Sequence, residues 1–562
     1  ALDDPTGART QLERAWALGF RTPEAAHAEG RALAAIYQIE QGKAYAIPDP
    51  DLRQRRLDEL KQTLRLPAAD WLRRGASASL EPPAFRAGLL MLMEGQPQEA
   101  VRLAREAQAQ APWFYEALRL EAEAWLAQAR LAQEAEVAKP ALEAAGRALA
   151  QAELRAPCDV DLLRLDMRRW QEAVALGWQS GSDPKVPVLA QVAVADRWAQ
   201  LEPADAEPPA WRARARGEMA RFLTYREIDP GAWLVEAKVD ASEALRRDPR
   251  EIEAHTAQAS VLRTEGFRLL NQGEDPAPRL KEAMAAADRG LRLDPRHAVL
   301  MNIRNSALLA WIDTARLRGT YDRAAVEPYL REARTQANAR PEEAYFQASL
   351  GGLAQAAAKA EAASGGDPTL DAEEAVRAYE AGLRAQPRNI GFHRGILIAR
   401  AVQVRALVRH GRDPAAVVEQ SRAAFQRAQD AQVPLATLAP FFMDALVSAA
   451  TQISARGGDP AGCLDEAGRL QIYDDQSAED PVEPAAIRLR YLTLRLRTGP
   501  RPPSPVLRRT GESIAKSLVR FRPVDPEVWR VLAQFYEVCA NPAAAAQARS
   551  RGVALNVKRR SP

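Results

Sequence analysis

The sequence has few of the residues that build disulfide frameworks, metal clusters or β-sandwiches. Its 562 residues include 3 cysteines, 5 histidines and only 6% aromatic residues. Cys158, Cys463 and Cys539 are too scattered for a disulfide framework or a zinc cluster. No histidine pairs with another histidine or a cysteine at the i, i+4 spacing of helical metal ligands. We therefore expect neither a metal nor another cofactor.

An excess of charge of one sign and long apolar runs are also missing. The 77 Lys and Arg residues against 74 Asp and Glu residues leave a net charge of +3, with both signs interspersed. This balance indicates no nucleic-acid partner. There is no run of about 18–20 uncharged apolar residues, which argues against direct membrane insertion. Because Ala1 opens the chain within a helical pattern, we expect a longer polypeptide, which is cytoplasmic, or periplasmic if a membrane segment precedes Ala1.

Prolines recur with a period of about 46 residues. The first set stands at Pro112, Pro157, Pro203, Pro249, Pro295, Pro341, Pro387, Pro434, Pro481 and Pro526. A second set of Asp-Pro pairs lies between them, at 183–184, 229–230, 275–276, 367–368, 413–414 and 459–460, with Asp322 where the missing pair would fall. Proline fits the first turn of a helix, and aspartate caps it. Each proline of the first set and each Asp-Pro pair therefore predicts the start of a helix.

The segments between these marks have helical apolar spacing, as in Leu280, Met284, Ala287 and Leu291. Glycines such as Gly365, Gly411 and Gly457 precede the Asp-Pro pairs and suit the left-handed residue that ends a helix. Each repeat is therefore a helix A, a Gly-x-Asp-Pro turn and a helix B. A single pair of helices cannot bury its apolar face, so the prediction is an all-α fold, an α-solenoid of stacked pairs.

Four parts are expected along the chain. Residues 1–81 are helical but irregular, and 82–156 carry shorter repeats. The array with the 46-residue period covers 157–525, and 526–562 form a C-terminal capping repeat with a basic tail. Six tryptophans at helical positions are predicted to pack between helices rather than to form an aromatic ligand cage: Trp170, Trp178, Trp198, Trp211, Trp233 and Trp311.

The end of one helix B, Ala287-Asp288-Arg289-Gly290-Leu291-Arg292-Leu293-Asp294-Pro295, resembles the tetratricopeptide (TPR) pattern. The long units are similar to TPRs extended by about a dozen residues at the A–B turn. Such extended repeats, exemplified by Gln272-Gly273-Glu274-Asp275-Pro276, resemble the repeat region that follows the kinase domain of some bacterial serine/threonine protein kinases. The block Ala17-Leu18-Gly19-Phe20-Arg21-Thr22-Pro23-Glu24 is similar to the segment that joins the two regions in that family.

The resemblance implies a non-catalytic protein-protein interaction solenoid, the sensor or partner-recruiting region of a signalling kinase. The chain has no Gly-rich loop, His-Arg-Asp or Asp-Phe-Gly motif, so any kinase activity belongs to a domain outside it. The alternative is a free-standing TPR scaffold or assembly factor. An enzyme of the helical-toroid type is disfavoured, because paired acids in a central cavity are not evident.

In TPR-like stacks helix A lines the groove that binds partners. Positions 8, 12 and 15, counted from each proline of the first set, share one face of that helix. Nine polar residues at these positions are the predicted partner contacts: Arg164, Arg168, Gln171, Arg214, Thr256, Arg263, Asn302, Ser306 and Arg394. Arginine holds carboxylates in bidentate fashion, which predicts an acidic protein or peptide partner. The alternative is that the arginines are solvated or pair with wall acids such as Asp161, Asp166 or Glu207.

Overall fold

A computed structural model describes the chain except residues 1–4, 46–49, 79–80, 133–134, 181, 227, 273, 296, 471–481, 500–503, 522–525 and 561–562. Within the described ranges the regular elements are helices, and strands are not found. None of the described helices combines the length and the apolar character needed to cross a membrane. The chain divides into two compact units, residues 1–307 and 308–562.

The first unit begins with a group of helices outside the repeat period. They are α1 (Pro5–Ala17), α2 (Pro23–Tyr45), α3 (Pro50–Leu60), a π-helical turn (Lys61–Arg65) and α4 (Leu66–Arg74). Two shorter pairs follow, α5 (Pro83–Glu94) with α6 (Pro97–Gln110) and α7 (Glu116–Leu131) with α8 (Ala135–Arg155). The long pairs are α9 (Val160–Ser180) with α10 (Lys185–Leu201), α11 (Glu207–Tyr225) with α12 (Gly231–Arg247), and α13 (Ile252–Gln272) with α14 (Ala277–Leu293).

The second unit begins within α15 (Ala298–Arg318) and continues the alternation of long and shorter helices as far as α22. Its members are α16 (Arg323–Ala339), α17 (Ala344–Ser364), α18 (Thr369–Ala385), α19 (Ile390–Arg409), α20 (Ala415–Asp430), α21 (Ala439–Ala455) and α22 (Ala461–Arg469). The last four are α23 (Val482–Thr498), α24 (Pro505–Phe521), α25 (Pro526–Val538) and α26 (Pro542–Arg560). The mark at Pro481 lies outside the described residues, and the four-part division of the chain stays a prediction.

The Asp-Pro pairs start helices as predicted. Each helix B begins directly after its pair, and the aspartate Oδ1 accepts a hydrogen bond from the backbone N–H two residues later. These bonds join Asp183 to Lys185 (2.9 Å), Asp229 to Gly231 (3.2 Å), Asp275 to Ala277 (3.1 Å), Asp322 to Ala324 (2.9 Å), Asp367 to Thr369 (3.0 Å), Asp413 to Ala415 (3.0 Å) and Asp459 to Ala461 (2.9 Å). Gly365 precedes one pair with φ of 88°, a left-handed helix end.

Most of the prolines that precede helix A have a different role from the predicted one. From Pro112 to Pro387 helix A begins three or four residues after its proline, as α13 (Ile252–Gln272) does after Pro249. The residue before that proline, Asp248, is extended, with φ −138° and ψ 105°. Proline disfavours the helical conformation in the residue before it, so it ends helix B, and a short turn then leads into helix A. At Pro526 the prediction is confirmed, because α25 (Pro526–Val538) begins at that residue.

Successive A helices pack against one another and form one layer of each unit. In the first unit α7 packs on α9 and α11 on α13, and in the second α17 packs on α19, α19 on α21 and α21 on α23. Alanines allow the close approach of α11, α12 and α13, as at Ala213, Ala241 and Ala257, which have at most 2% of their surface exposed. The fold is an α-solenoid of TPR-like helix pairs.

Replacing Asp413 by Ala should lower the free energy of unfolding by about 1 kcal/mol, because the backbone N–H of Ala415 loses its capping acceptor. Asp413→Asn keeps an acceptor oxygen and should lose less. Hydrogen exchange at the start of α20 in both variants measures the effect. Wild-type protection in the Ala variant would show that the cap contributes nothing.

Candidate functional site

A cavity of about 400 Å³ lies on the helix A face of the first unit. Its lining comes from α7, α9, α11 and α13, with α2 on the opposite side. We call it the groove cavity. A neighbouring cavity of about 320 Å³ shares Gln38, Tyr45, Glu123, Arg130 and Arg168 with it. Together they provide room for guest side chains on the A face of the first unit.

Four of the nine predicted contact residues meet in this cavity. Arg164, Arg168 and Gln171 reach it from α9, and Arg214 reaches it from α11. The repeat register therefore places these side chains around one space, as the spacing predicts. Whether a partner touches them stays a prediction.

The other five predicted residues are not part of the cavity lining. Thr256 is buried, and its hydroxyl donates to the Ile252 carbonyl at 2.9 Å. Arg263 is buried too and donates to Ser306 Oγ at 3.0 Å, so these two predicted residues contact each other. Asn302 is half-buried on α15, and Arg394 is exposed on α19 of the second unit.

Most of the charges around the cavity are paired within its wall. Arg164 lies 3.3 Å from an Asp161 oxygen and 3.4 Å from a Glu207 oxygen. Arg214 pairs with Glu253 at 3.0 Å. Arg119 pairs with Glu123 and Asp161, both at 3.1 Å, and Arg130 with Glu172 at 2.7 Å. For Arg164 and Arg214 the wall pairing considered from the sequence is therefore present.

Arg168 differs from these arginines. Among the residues that the structure describes, no carboxylate lies within ion-pairing distance of its guanidinium, and no hydrogen bond to it is found. Burial and the neighbouring Arg130 lower the pKa of Arg168 to about 10, so the side chain stays charged at neutral pH. A half-buried cation without a counterion can attract an anion into the cavity.

Two groups of lining residues were not foreseen from the sequence. Arg119 and Glu123 stand at positions 8 and 12 counted from Pro112, so extending the register by one repeat would have found them. The other group belongs to α2: Ala35, Gln38, Ile39, Gly42 and Tyr45. This helix does not follow the repeat period, and its sequence gives no signal that it faces the groove.

Glu207 is the acid of the wall with the most altered ionisation. Burial raises the pKa of its carboxyl to about 7, the nearby Arg164 opposes this rise, and Asp205, Glu251 and Glu253 reinforce it. Near neutral pH the Glu207 carboxyl is therefore protonated, and uncharged, in a substantial fraction of the molecules.

Stability should depend on pH through Glu207. The pKa of Glu207 in the folded state lies above the ordinary value of 4.5. Its contribution to the free energy of unfolding is therefore fully present below about pH 4.5 and is lost as the pH rises through about 7. Its side chain is 35% exposed, and solvent screening limits the effect to about 1 kcal/mol. Glu207→Gln should flatten the fall in Tm between about pH 5 and 8, unlike Glu143→Gln on an exposed position of α8. Parallel curves for wild type and Glu207→Gln would contradict this assignment.

The tryptophans pack between helices, as predicted. Trp198 has 0% exposure and lies in a core with Leu163, Met167, Val194 and Ala195, against which Trp170 and Trp211 pack. Trp178 and Trp233 pack against the next core, and Trp311 meets Tyr329 edge to face at 6.5 Å between centroids. Trp198 supports the wall of the groove, because the Arg164 guanidinium lies 4.9 Å from its ring centroid, and Trp211 lines the groove cavity.

Comparisons with known proteins give similarity of structure alone. No family model matches the sequence, and no curated protein matches it. The structure of yeast Tom70 aligns with 92% of this chain and 96% of its own at 13% identity and a TM-score of 0.37. A human IFIT1 dimer with m7Gppp-AAAA aligns with 85% of this chain and 91% of its own at 13% identity and a TM-score of 0.28. The structure of Naa15/Naa10 bound to HypK-THB aligns with 98% of this chain and 94% of its own at 11% identity and a TM-score of 0.24. At these TM-scores the similarity carries no argument about function.

Proposed function

We propose that this chain is a non-catalytic interaction solenoid that recruits an acidic protein partner through the helix A face of its first unit. The observation that carries the proposal is the groove cavity, in which arginines of successive A helices surround a space large enough for guest side chains. Arg168 supplies a positive charge that the described wall residues leave unpaired. A partner carboxylate entering the cavity would gain a charge-assisted, bidentate hydrogen bond there.

The partner-recruiting region of a bacterial serine/threonine kinase is the setting we propose for this solenoid. The support is the resemblance of the extended Gly-x-Asp-Pro repeats and of the Ala17–Glu24 block to the corresponding region of those kinases. The reading frame upstream of Ala1 tests this setting. A kinase domain there would support it, and a frame without one would favour a free-standing scaffold.

The partner itself can be isolated by cross-linking and pull-down from the source organism, with the chain as bait. Its affinity should fall as the salt concentration rises, since the contacts are between charged groups. Replacing Arg164, Arg168 and Arg214 together by Ala should weaken binding at least tenfold and flatten the salt dependence. Affinity that is equal in the triple variant and in the wild type would refute docking at this face.

The same triple variant should also melt at a lower temperature. Arg164 holds Glu207 and Arg214 holds Glu253 within the wall, so their loss leaves these two half-buried carboxylates without a cation, whereas Asp161 keeps its pair with Arg119. Variants that replace one arginine at a time are therefore needed to separate docking from wall stability.

A further inference from the structure

We propose that the groove cavity is a binding site for a small free organic anion that carries a carboxylate or phosphate group held by Arg168. The inference rests on the proposed function, because the anion would occupy the same cavity that an acidic partner segment is proposed to enter. A bound anion would therefore compete with the partner, and the solenoid would respond to the concentration of that anion.

The first argument is the geometry of the side that α2 provides. The α2 residues that line the cavity, Ala35, Gln38, Ile39, Gly42 and Tyr45, follow i, i+3, i+4, i+7 and i+10 spacing, which is one stripe of a helix. The stripe touches the groove wall at its edges. Gln38 donates to Glu123 at 2.7 Å, and the Arg130 guanidinium lies 4.6 Å from the Tyr45 ring centroid. Between these contacts the cavity remains.

The opposite face of α2 holds the helix in place. Leu33, Ala34, Tyr37 and Ala44 are buried in a core with residues of the following helices, among them Leu60, Leu72 and Phe85. His27 at the start of α2 also contacts Glu81 at 2.8 Å. The helix cannot leave the groove without opening this core, so a guest at Arg168 has to fit beneath it. A volume of about 400 Å³ suits a small molecule better than a whole partner helix.

The second argument is the pairing of charges. The five lining acids, Glu123, Asp161, Glu172, Glu207 and Glu253, each lie within 4 Å of an arginine other than Arg168. An anion is therefore the group that the cavity still lacks. Arginine's planar fork suits carboxylate and phosphate oxygens, and the amides of Gln38 and Gln171 can bind further polar groups of the same molecule.

Gly42 is the third argument, and it provides the sharpest test. A Cβ built on Gly42 would lie 3.7 Å from Arg168 Nε, and the three nearest neighbours of that Cβ are all atoms of Arg168. The glycine thus leaves the guanidinium open on the α2 side. Gly42→Asp would place a carboxylate of this chain where the free anion is proposed to bind. Gly42→Asn is the matched control, because its side chain has the same size and no charge.

The experiment is calorimetry and thermal melting of the full chain with citrate, succinate and inorganic phosphate as probes. We expect saturable binding of at least one probe with Kd below about 1 mM and a raised Tm. Arg168→Gln and Gly42→Asp should each weaken that binding at least tenfold, whereas Gly42→Asn and Arg147→Gln, at an exposed arginine of α8, should change it less than threefold. Gly42→Asp should also melt higher than Gly42→Asn without any probe, because it supplies the missing counterion.

Three results would overturn the inference: no binding of any probe by the wild type, equal binding by Gly42→Asp and Gly42→Asn, or binding only of an acidic peptide with a free C-terminus. The last result would identify a chain terminus as the source of the carboxylate. If the probes fail while partner affinity still depends on Arg168, the proposed function stands and the anion site alone is lost.

Discussion

Replacing Phe535 by Ala is expected to lower the stability of the C-terminal helices by about 3–5 kcal/mol. Phe535 on α25 has 0% exposure and lies in a core with Leu489 of α23, Leu518 of α24 and Val531. A Cβ at Gly511 would come within 2.3 Å of the ring, which shows how closely α24 and α25 approach. Removing the ring therefore leaves a large cavity at the junction of three helices.

Because repeats in a solenoid are stabilised mainly by their neighbours, this loss should be local. Hydrogen exchange should show lost protection in α23 to α26 and wild-type protection in α5 to α14. Val506→Ala, at an apolar residue of α24 that is 63% exposed, is the matched control and should change stability by less than about 0.5 kcal/mol. Uniform loss of protection along the whole chain would contradict stacking with independent repeats.

Replacing Trp198 by Ala should cost the first unit a similar amount, about 3–5 kcal/mol. The indole is buried between α9, α10 and α11, and its Nε1 donates to Glu202 at 3.0 Å. Because α9 carries Arg164 and Arg168, loosening this core should also weaken partner binding. Trp113→Ala, which removes an indole that is 76% exposed, should leave both stability and affinity nearly unchanged.

The two tryptophan variants and the two α24–α25 variants together test multi-stage unfolding. Trp198→Ala should shift an early transition of the first unit, and Phe535→Ala a transition of the second, each without moving the other. A single transition that shifts equally in both variants would show that the repeats unfold as one cooperative block.

The positions of the B helices could be predicted because their signals are local. Asp413 and its counterparts cap the helix that begins two residues later, and no distant residue is needed for that bond. The role of Pro249 was misjudged because proline also ends a helix through the residue before it, and both roles give the same spacing. The period alone does not distinguish them.

The candidate site could be predicted only in part. The 46-residue repeat predicts that Arg164, Arg168 and Arg214 share one face, since residues at equal positions in stacked repeats have similar surroundings, and all three line the groove cavity. It could not show that Glu253 pairs with Arg214 while Arg168 keeps no acid, because this depends on side-chain directions between repeats. The position of α2 depends on a core built with Leu60 and Leu72, which no periodicity reveals.

The most direct test of the account compares Arg168→Gln with Arg164→Gln, measuring both Tm and affinity for the isolated partner. Arg168→Gln should weaken binding at least tenfold, about 1.4 kcal/mol, with an unchanged or raised Tm, because it removes a half-buried charge that lacks a wall partner. Arg164→Gln should lower Tm and change affinity less than threefold, since its charge is held by Asp161 and Glu207. Wild-type affinity in the Arg168→Gln variant would contradict the claim that this groove recruits an acidic partner.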